Sequence, residues 1–151
     1  MRKDFRNMKD IATYLRKKIG SALEVEVGDT IRAVMQAHVE TDVYSEYTPY
    51  MYERRGSSNG GLGDIDNMET TLLDKMTLML VNTTLPNPRY RHSALGSWSV
   101  AKAVELGEHY QFSCPPGPRP FTHKTAVDLY RNKQHITALK AGLRRQGLNI
   151  K

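Results

Sequence analysis

Cysteine is almost absent from this 151-residue chain, and long apolar runs are missing. Cys114 is the one cysteine, so no disulfide can form within the chain, and a single thiol cannot build a zinc site by itself. We therefore expect a protein of a reducing compartment. No stretch approaches the roughly 18 apolar residues of a membrane-spanning helix, and the first residues lack the apolar core of about 7 to 15 residues found in signal peptides. The sequence thus predicts neither export by the usual route nor a membrane-spanning protein.

The motifs of nucleotide-binding and calcium-binding sites are also missing. The stretch YMYERRGSSNGGLGDIDN (residues 50–67) is rich in glycine, but Asp66 replaces the third glycine of the dinucleotide fingerprint. Leu62 and Gly63 stand where a Walker loop has lysine and then serine or threonine. A calcium loop starting at Asp64 fails because Met68 occupies its third ligand position. We interpret Asp64 as a turn residue whose carboxylate accepts hydrogen bonds from the nearby backbone.

Catalytic arrangements are equally sparse. The five histidines are scattered, and none lies in a His-x-x-x-His or Glu-x-x-His pattern. Cys114 precedes two prolines and therefore lacks the helix N-terminus that activates a nucleophilic thiol. We expect no catalytic residue, no metal and no cofactor, and hence a protein that is not an enzyme.

Positive charge is in excess. The chain has 22 Lys and Arg against 16 Asp and Glu, which gives a net charge of +6 and a pI near 9.5. The basic residues concentrate in residues 2–18 and 131–151, on segments with the periodicity of amphipathic helices. A solvated helix face is the simplest interpretation. The alternative is a basic nucleic-acid-binding module, because excess positive charge attracts polyanions.

The spacing of apolar residues predicts an α+β protein whose residues 1–151 form a single domain. A basic N-terminal helix covers residues 1–23, and a second helix begins with Asp29 as its N-cap and ends near residue 47. The glycine-rich stretch at 50–66 follows as a flexible loop.

The second half of the chain contains the predicted sheet. Alternating apolar residues indicate an antiparallel hairpin over residues 67–83, with strands at about 67–73 and 76–83 and with one face packed on the helices. A short helix (97–106) and a short strand (109–112) come next. A proline-rich loop then leads into a C-terminal helix over residues 122–146.

Tyrosine and arginine cluster just before the glycine loop. Both types are enriched at protein interfaces, and backbone around glycine can order on contact with a neighbour. The predicted subunit-interface residues are Tyr50, Tyr52, Arg54, Arg55, Gly61 and Leu62. Two alternatives remain, in which the tyrosines of this region either cover the core at the helix end or stack on single-stranded bases.

Two short motifs carry a family resemblance. Val104, Glu105, Leu106 and Gly107 match a Val-Glu-Phe-Gly element with leucine for phenylalanine, and Arg119, Pro120 and Phe121 match an Arg-Pro-Phe turn. With the terminal helix that follows, this pattern resembles the small neck, or tail-completion, proteins of tailed bacteriophages. The Tyr-x-Arg-Arg of residues 52–55 and the Gly-Gly-Leu of residues 60–62 are similar to relatives from phages of Gram-positive bacteria. A Pro-x-Asp-Thr-Gly-x-Leu segment that many members have is missing here.

The resemblance implies a fold and a role in assembly. The fold is an N-terminal helix, a small twisted antiparallel sheet with a central hairpin, and the Arg-Pro-Phe turn into the last helix. Pro120 would hold the extended path of that turn, and Phe121 would anchor the last helix in the core. The role is a sixfold or twelvefold ring in the virion neck, assembled in the bacterial host cytoplasm. Its partners would be a head-side connector or head-closure protein, a tail terminator or tail tube, and the DNA in the lumen by non-specific contact, with no membrane.

Overall fold

The computed structural model describes residues 5–46, 48–50, 53–86, 99–108 and 116–150. In chain order its main elements are helix α1 (Met8–Ala22), a first π-helical segment (Leu23–Val27), α2 (Gly28–His38), a second π-helical segment (Val39–Tyr44), strands β1 (Met68–Leu72) and β2 (Leu78–Asn82), and helices α3 (Val100–Leu106), α4 (Phe121–Asn132) and α5 (Gln134–Arg145). Helices beside a two-stranded antiparallel sheet confirm the predicted α+β class. The strand predicted at 109–112 lies outside the described residues.

The N-terminal part of the chain stays helical from Met8 to Tyr44, so the predicted break between a first helix and a second one capped by Asp29 is wrong. Gly28 has right-handed helical angles (φ −55°, ψ −49°), and its amide donates to the carbonyl of Leu23, five residues back. Because that wider π-type bond keeps the amide paired, the helix continues at the modest cost of one interior glycine. Asp29 therefore lies inside the helix and does not cap it.

The C-terminal helix predicted as one element is two. Lys133 takes the left-handed conformation (φ 55°, ψ 23°), which ends α4, and its carbonyl accepts hydrogen bonds from the amides of Ile136 and Thr137 at 3.0 and 3.1 Å to begin α5. A lysine rarely adopts this conformation, and no glycine or proline marks the position. The apolar spacing therefore gave no sign of the break.

Contacts divide the chain into two compact units. Unit 1 comprises Met1–Thr30, Thr70–Met79 and Lys133–Lys151, and unit 2 comprises Ile31–Glu69 and Leu80–Asn132. Unit 1 therefore holds α1, the first π-helical segment, α5 and the tip of the hairpin. Unit 2 holds most of α2, the second π-helical segment, the glycine-rich loop, the base of the hairpin, α3 and α4.

Small residues bring the helices of unit 1 close together. A Cβ atom added at Gly142 of α5 would lie 2.8 Å from the Cβ of Ala22 and 2.5 Å from Oε2 of Glu26. Lys18 Nζ donates to the Gln146 carbonyl (3.2 Å), and Gln146 Nε2 donates to the Lys18 carbonyl (2.9 Å). These contacts fix α5 against α1 at the C-terminal ends of both helices.

The hairpin has the alternation that its sequence predicts. Met68 is buried at the start of β1 and Asn82 at the end of β2. In the rest of each strand, exposed residues alternate with half-buried ones. The turn is held by Asp74, whose carboxylate accepts from the Met76 amide at 2.6 Å and from the Thr77 hydroxyl at 3.0 Å. Met76, predicted as a strand residue, is therefore part of the turn and 55% exposed.

Unit 2 is built around one apolar cluster. Its buried members come from α2, the second π-helical segment, the loop, β1, α3 and α4, namely Met35, Val39, Val43, Leu62, Met68, Val104 and Phe121. Across the described ranges, the structure contains no helix with the length and apolar character needed to span a bilayer.

Candidate functional site

The two motifs identified in the sequence meet in unit 2. The amide of Arg119 donates to the carbonyl of Val104 at 3.1 Å, which ties the Arg-Pro-Phe turn to α3. The carboxylate of Glu105 accepts from the amides of Thr122 (2.9 Å) and His123 (3.1 Å) in the first turn of α4. A carboxylate at a helix N-terminus pairs amides that have no partner within the helix and complements the helix dipole. We call Val104, Glu105, Gly107, Arg119, Pro120 and Phe121 the motif joint.

Gly107 lets the two motifs approach. It ends α3 in the left-handed conformation (φ 67°), and a Cβ atom there would lie 2.5 Å from the nitrogen of Pro118 and 2.7 Å from the carbonyl carbon of Gly117. Any other residue would be strained in its own backbone and would also overlap this segment. The position therefore requires glycine for two separate reasons.

Phe121 is the apolar centre of the motif joint. Its side chain is 0% exposed and belongs to the same buried cluster as Val104. The carbonyl of Pro120, just before it, accepts from the amide of Lys124 at 2.9 Å, so α4 starts directly at the turn. The turn thus fixes the starting point of α4, and the ring of Phe121 fixes that helix in the core.

The glycine-rich loop is held to the second π-helical segment by Tyr44. The Tyr44 hydroxyl accepts from the amide of Gly63 at 2.9 Å and donates to the carbonyl of Arg55 at 3.2 Å. The guanidinium of Arg54 lies 4.8 Å from the centre of the Tyr44 ring and donates to the Tyr44 carbonyl at 2.8 Å. Burial raises the pKa of Tyr44, because an ionised phenol would lose its hydration there.

Residues 61–64 form part of the core of unit 2, although the sequence predicts a flexible loop over 50–66. Gly61 and Leu62 are buried, and their carbonyls accept hydrogen bonds from side chains of the hairpin region. The donors are Asn67 Nδ2 (2.9 Å) and Thr84 Oγ1 (3.2 Å) to Gly61, and Asn82 Nδ2 (2.8 Å) to Leu62. Asn82 and Thr84 are buried polar residues that sequence reasoning missed. No short motif marks them, because their partners are backbone atoms about 20 residues away.

Asp64 behaves as a turn residue. Its carboxylate accepts from the amide of Asp66 at 3.1 Å and from the amide of Gly60 at 2.7 Å. Within the described residues, no group of three or more His, Cys, Asp or Glu side chains is arranged to hold a metal ion. The carboxylate of Asp64 thus pairs backbone amides, in agreement with its interpretation from the sequence.

The predicted interface residues that the structure describes differ widely in exposure. Tyr50 is 89% exposed and Tyr52 lies outside the described residues. Arg54 and Arg55 are half-buried, and Arg55 Nη2 donates to the carbonyl of Leu85. Gly61 and Leu62 are buried within unit 2, so in this conformation they support the loop from inside. Contact of any of the six with a neighbouring subunit stays a prediction, for which Tyr50 offers the most accessible side chain.

An ionic cluster beside the motif joint went unnoticed in the sequence. His38 Nδ1 lies 2.6 Å from Asp42 Oδ2, His38 Nε2 lies 3.3 Å from Asp128 Oδ2, and Lys124 Nζ lies 2.5 Å from Asp42 Oδ1. Burial raises the pKa of Asp42, but the hydrogen bonds from Lys124 and His38 together outweigh it, so the net shift is downward. The four-residue spacing of His38 and Asp42 was the available signal, since it places both on one helical face.

A cleft lies next to this cluster. It has a volume of about 420 Å³ and is lined by Asp42, Glu46, Lys124 and the segment Pro116–Pro120. Its walls therefore combine charges of both signs with the stiff proline segment that leads into the motif joint.

The chain matches the sequence model of a known protein family. The sequence model of the YomN family matches residues 7–145, a span that includes the glycine-rich loop and the whole motif joint. The chain has no match among curated proteins or among solved structures.

Proposed function

We propose that this chain, which belongs to the YomN family, is a virion structural protein of a tailed-phage neck. The family is named after a Bacillus phage-region protein, which relates the chain to phages. The chain acts as a ring-forming tail-completion component that joins the head connector to the tail. It works through protein interfaces around the DNA channel and performs no catalysis.

The motif joint is the observation that supports this proposal most. The Val104–Gly107 and Arg119–Phe121 segments, which carry the resemblance to neck proteins, are linked by the bond between Val104 and Arg119 and by the cap that Glu105 supplies. Two motifs separated by 11 residues in the sequence thus form one structural element. In a neck protein the motif joint would support α4, and α4 would in turn position the exposed surface of unit 2 for assembly.

Exposed aromatic and apolar side chains on unit 2 also support a role in assembly. Tyr50 is 89% exposed, and Leu85 and Tyr130 are each 73% exposed. A closed ring requires two different surfaces on each subunit, one for each neighbour. Tyrosine at the centre of such a surface contributes a large apolar area with a polar tip at low entropic cost.

Photo-crosslinking in purified particles tests the proposal. A photo-reactive phenylalanine analogue at Tyr50 should give crosslinks to a second copy of the chain or to a neighbouring neck protein, identified by mass spectrometry. The same analogue at Phe121, which is fully buried, is the matched control and should give only links within the chain. Absence of the protein from purified particles, or links only within the chain at both positions, would contradict the proposal.

A further inference from the structure

The positive charge of the chain belongs entirely to unit 1. Unit 1 contains 13 Lys and Arg against six Asp and Glu, a net charge of +7. Unit 2 contains nine Lys and Arg against ten Asp and Glu, a net charge of −1. The positive charge is therefore more concentrated than the overall net charge of +6 indicates, because unit 1 carries all of the excess.

Within unit 1 the basic side chains lie on the exposed sides of α1 and α5. Lys9, Arg16 and Lys17 of α1 are seven and eight residues apart, so they fall within about a 100° sector of the helix. Lys140 and Arg144 are one turn apart on α5. All five side chains are exposed. We call these five the basic face, and Arg145 is left out because it pairs with Glu26.

Little acidic charge offsets the basic face. The sequence from 133 to 151 contains no Asp or Glu, and α1 contains Asp10 alone, in its first turn. The reciprocal hydrogen bonds between Lys18 and Gln146 bring the C-terminal ends of the two helices together, so Lys17 and Arg144 belong to the same region of the surface.

We propose that the basic face binds the phosphate backbone of duplex DNA without reading its sequence. From Lys9 to Lys17 the helix rises about 12 Å, and the same length of duplex carries about seven phosphate charges. Lysine and arginine contacts to phosphate position a protein on DNA but carry no sequence information. The inference rests on the proposed neck function for its choice of duplex DNA over other polyanions, and it assigns the near-neutral unit 2 to protein contacts.

Salt-dependent binding of the purified chain to a short labelled duplex tests this inference. The variant Lys140→Gln/Arg144→Gln removes one lysine and one arginine from the basic face. The matched control, Lys102→Gln/Arg131→Gln, removes the same two residue types from exposed positions of unit 2. Each lost phosphate contact lowers the slope of log affinity against log salt by about 0.9, so the first variant should lose about 1.8 of slope and the control close to none. Circular dichroism verifies that both variants fold.

Three results would overturn the inference. The first is no salt-sensitive binding to duplex by the wild-type chain. The second is an equal loss in both double variants, which means that binding follows net charge and not the basic face. The third is that Lys140→Gln/Arg144→Gln weakens binding to phosphatidylserine vesicles but leaves binding to the duplex unchanged, which identifies an anionic membrane as the partner. Because these measurements use the purified chain, they do not test the neck location. That location is tested separately by crosslinking in purified particles.

Discussion

Replacing Phe121 by alanine tests whether the motif joint holds unit 2 together. The ring is 0% exposed and packs in a cluster with Val39, Val104 and other apolar residues. A buried phenylalanine covers about 150 to 250 Å², worth about 4 to 6 kcal/mol at 25 cal/mol per Å². Measured substitutions of this kind cost about 3 to 5 kcal/mol, so we expect a loss near 4 kcal/mol. In a chain of this size that loss lowers the melting temperature by about 8 to 16 °C.

Urea denaturation followed by circular dichroism at a helical wavelength measures this loss. Tyr130→Ala is the matched control, because it removes another aromatic ring from α4 at a position that is 73% exposed. We expect that control to cost at most about 1 kcal/mol. If Phe121→Ala loses no more stability than Tyr130→Ala, the ring is not the anchor of α4 and the account of the motif joint is wrong.

Three further substitutions test individual contacts. Glu105→Ala should cost about 1 to 2 kcal/mol of unfolding free energy, because two amides at the start of α4 lose their cap, and Glu105→Gln should cost less since one acceptor remains. Tyr44→Phe should cost about 1 to 2 kcal/mol and speed protease cleavage within residues 53–60, because the Gly63 amide loses its partner; unchanged cleavage would refute the anchor. Asp42 has a pKa below its ordinary value of 3.8, so its cluster stabilises the folded state above that pH and the stabilisation disappears as the pH falls through the lower folded-state pKa. Urea titrations from about pH 5 to about pH 2 should therefore show a weaker acid dependence in Asp42→Asn than in wild type, and identical curves would show that the cluster adds nothing.

The elements with a clear apolar period were predictable from the sequence. The alternation around Met68 and Leu80 gave the hairpin within two residues of its strands, and the glycine after Leu106 marked the end of α3. Both signals are local, because a strand period and a left-handed terminating glycine are properties of a few consecutive residues. The same reasoning failed at Gly28, where a π-type bond keeps the helix intact, and at Lys133, where the break has no local marker.

Contacts between distant residues set the limit of prediction for the candidate site. The two motifs of the joint were visible, but the cap that Glu105 places on α4 joins residues 17 and 18 positions apart. The burial of Leu62 likewise depends on Asn82, which pairs the Leu62 carbonyl from the far strand. A glycine-rich stretch reads as a flexible loop until the side chains that bind its backbone are known.

Electron microscopy of phage particles assembled without this protein tests the central claim most directly. A neck component that joins head to tail should leave DNA-filled heads beside detached tails when it is missing. Supplying the wild-type chain in trans should restore joined particles, and supplying the Phe121→Ala variant should restore fewer. Intact, infectious virions formed in the absence of the protein would contradict the account.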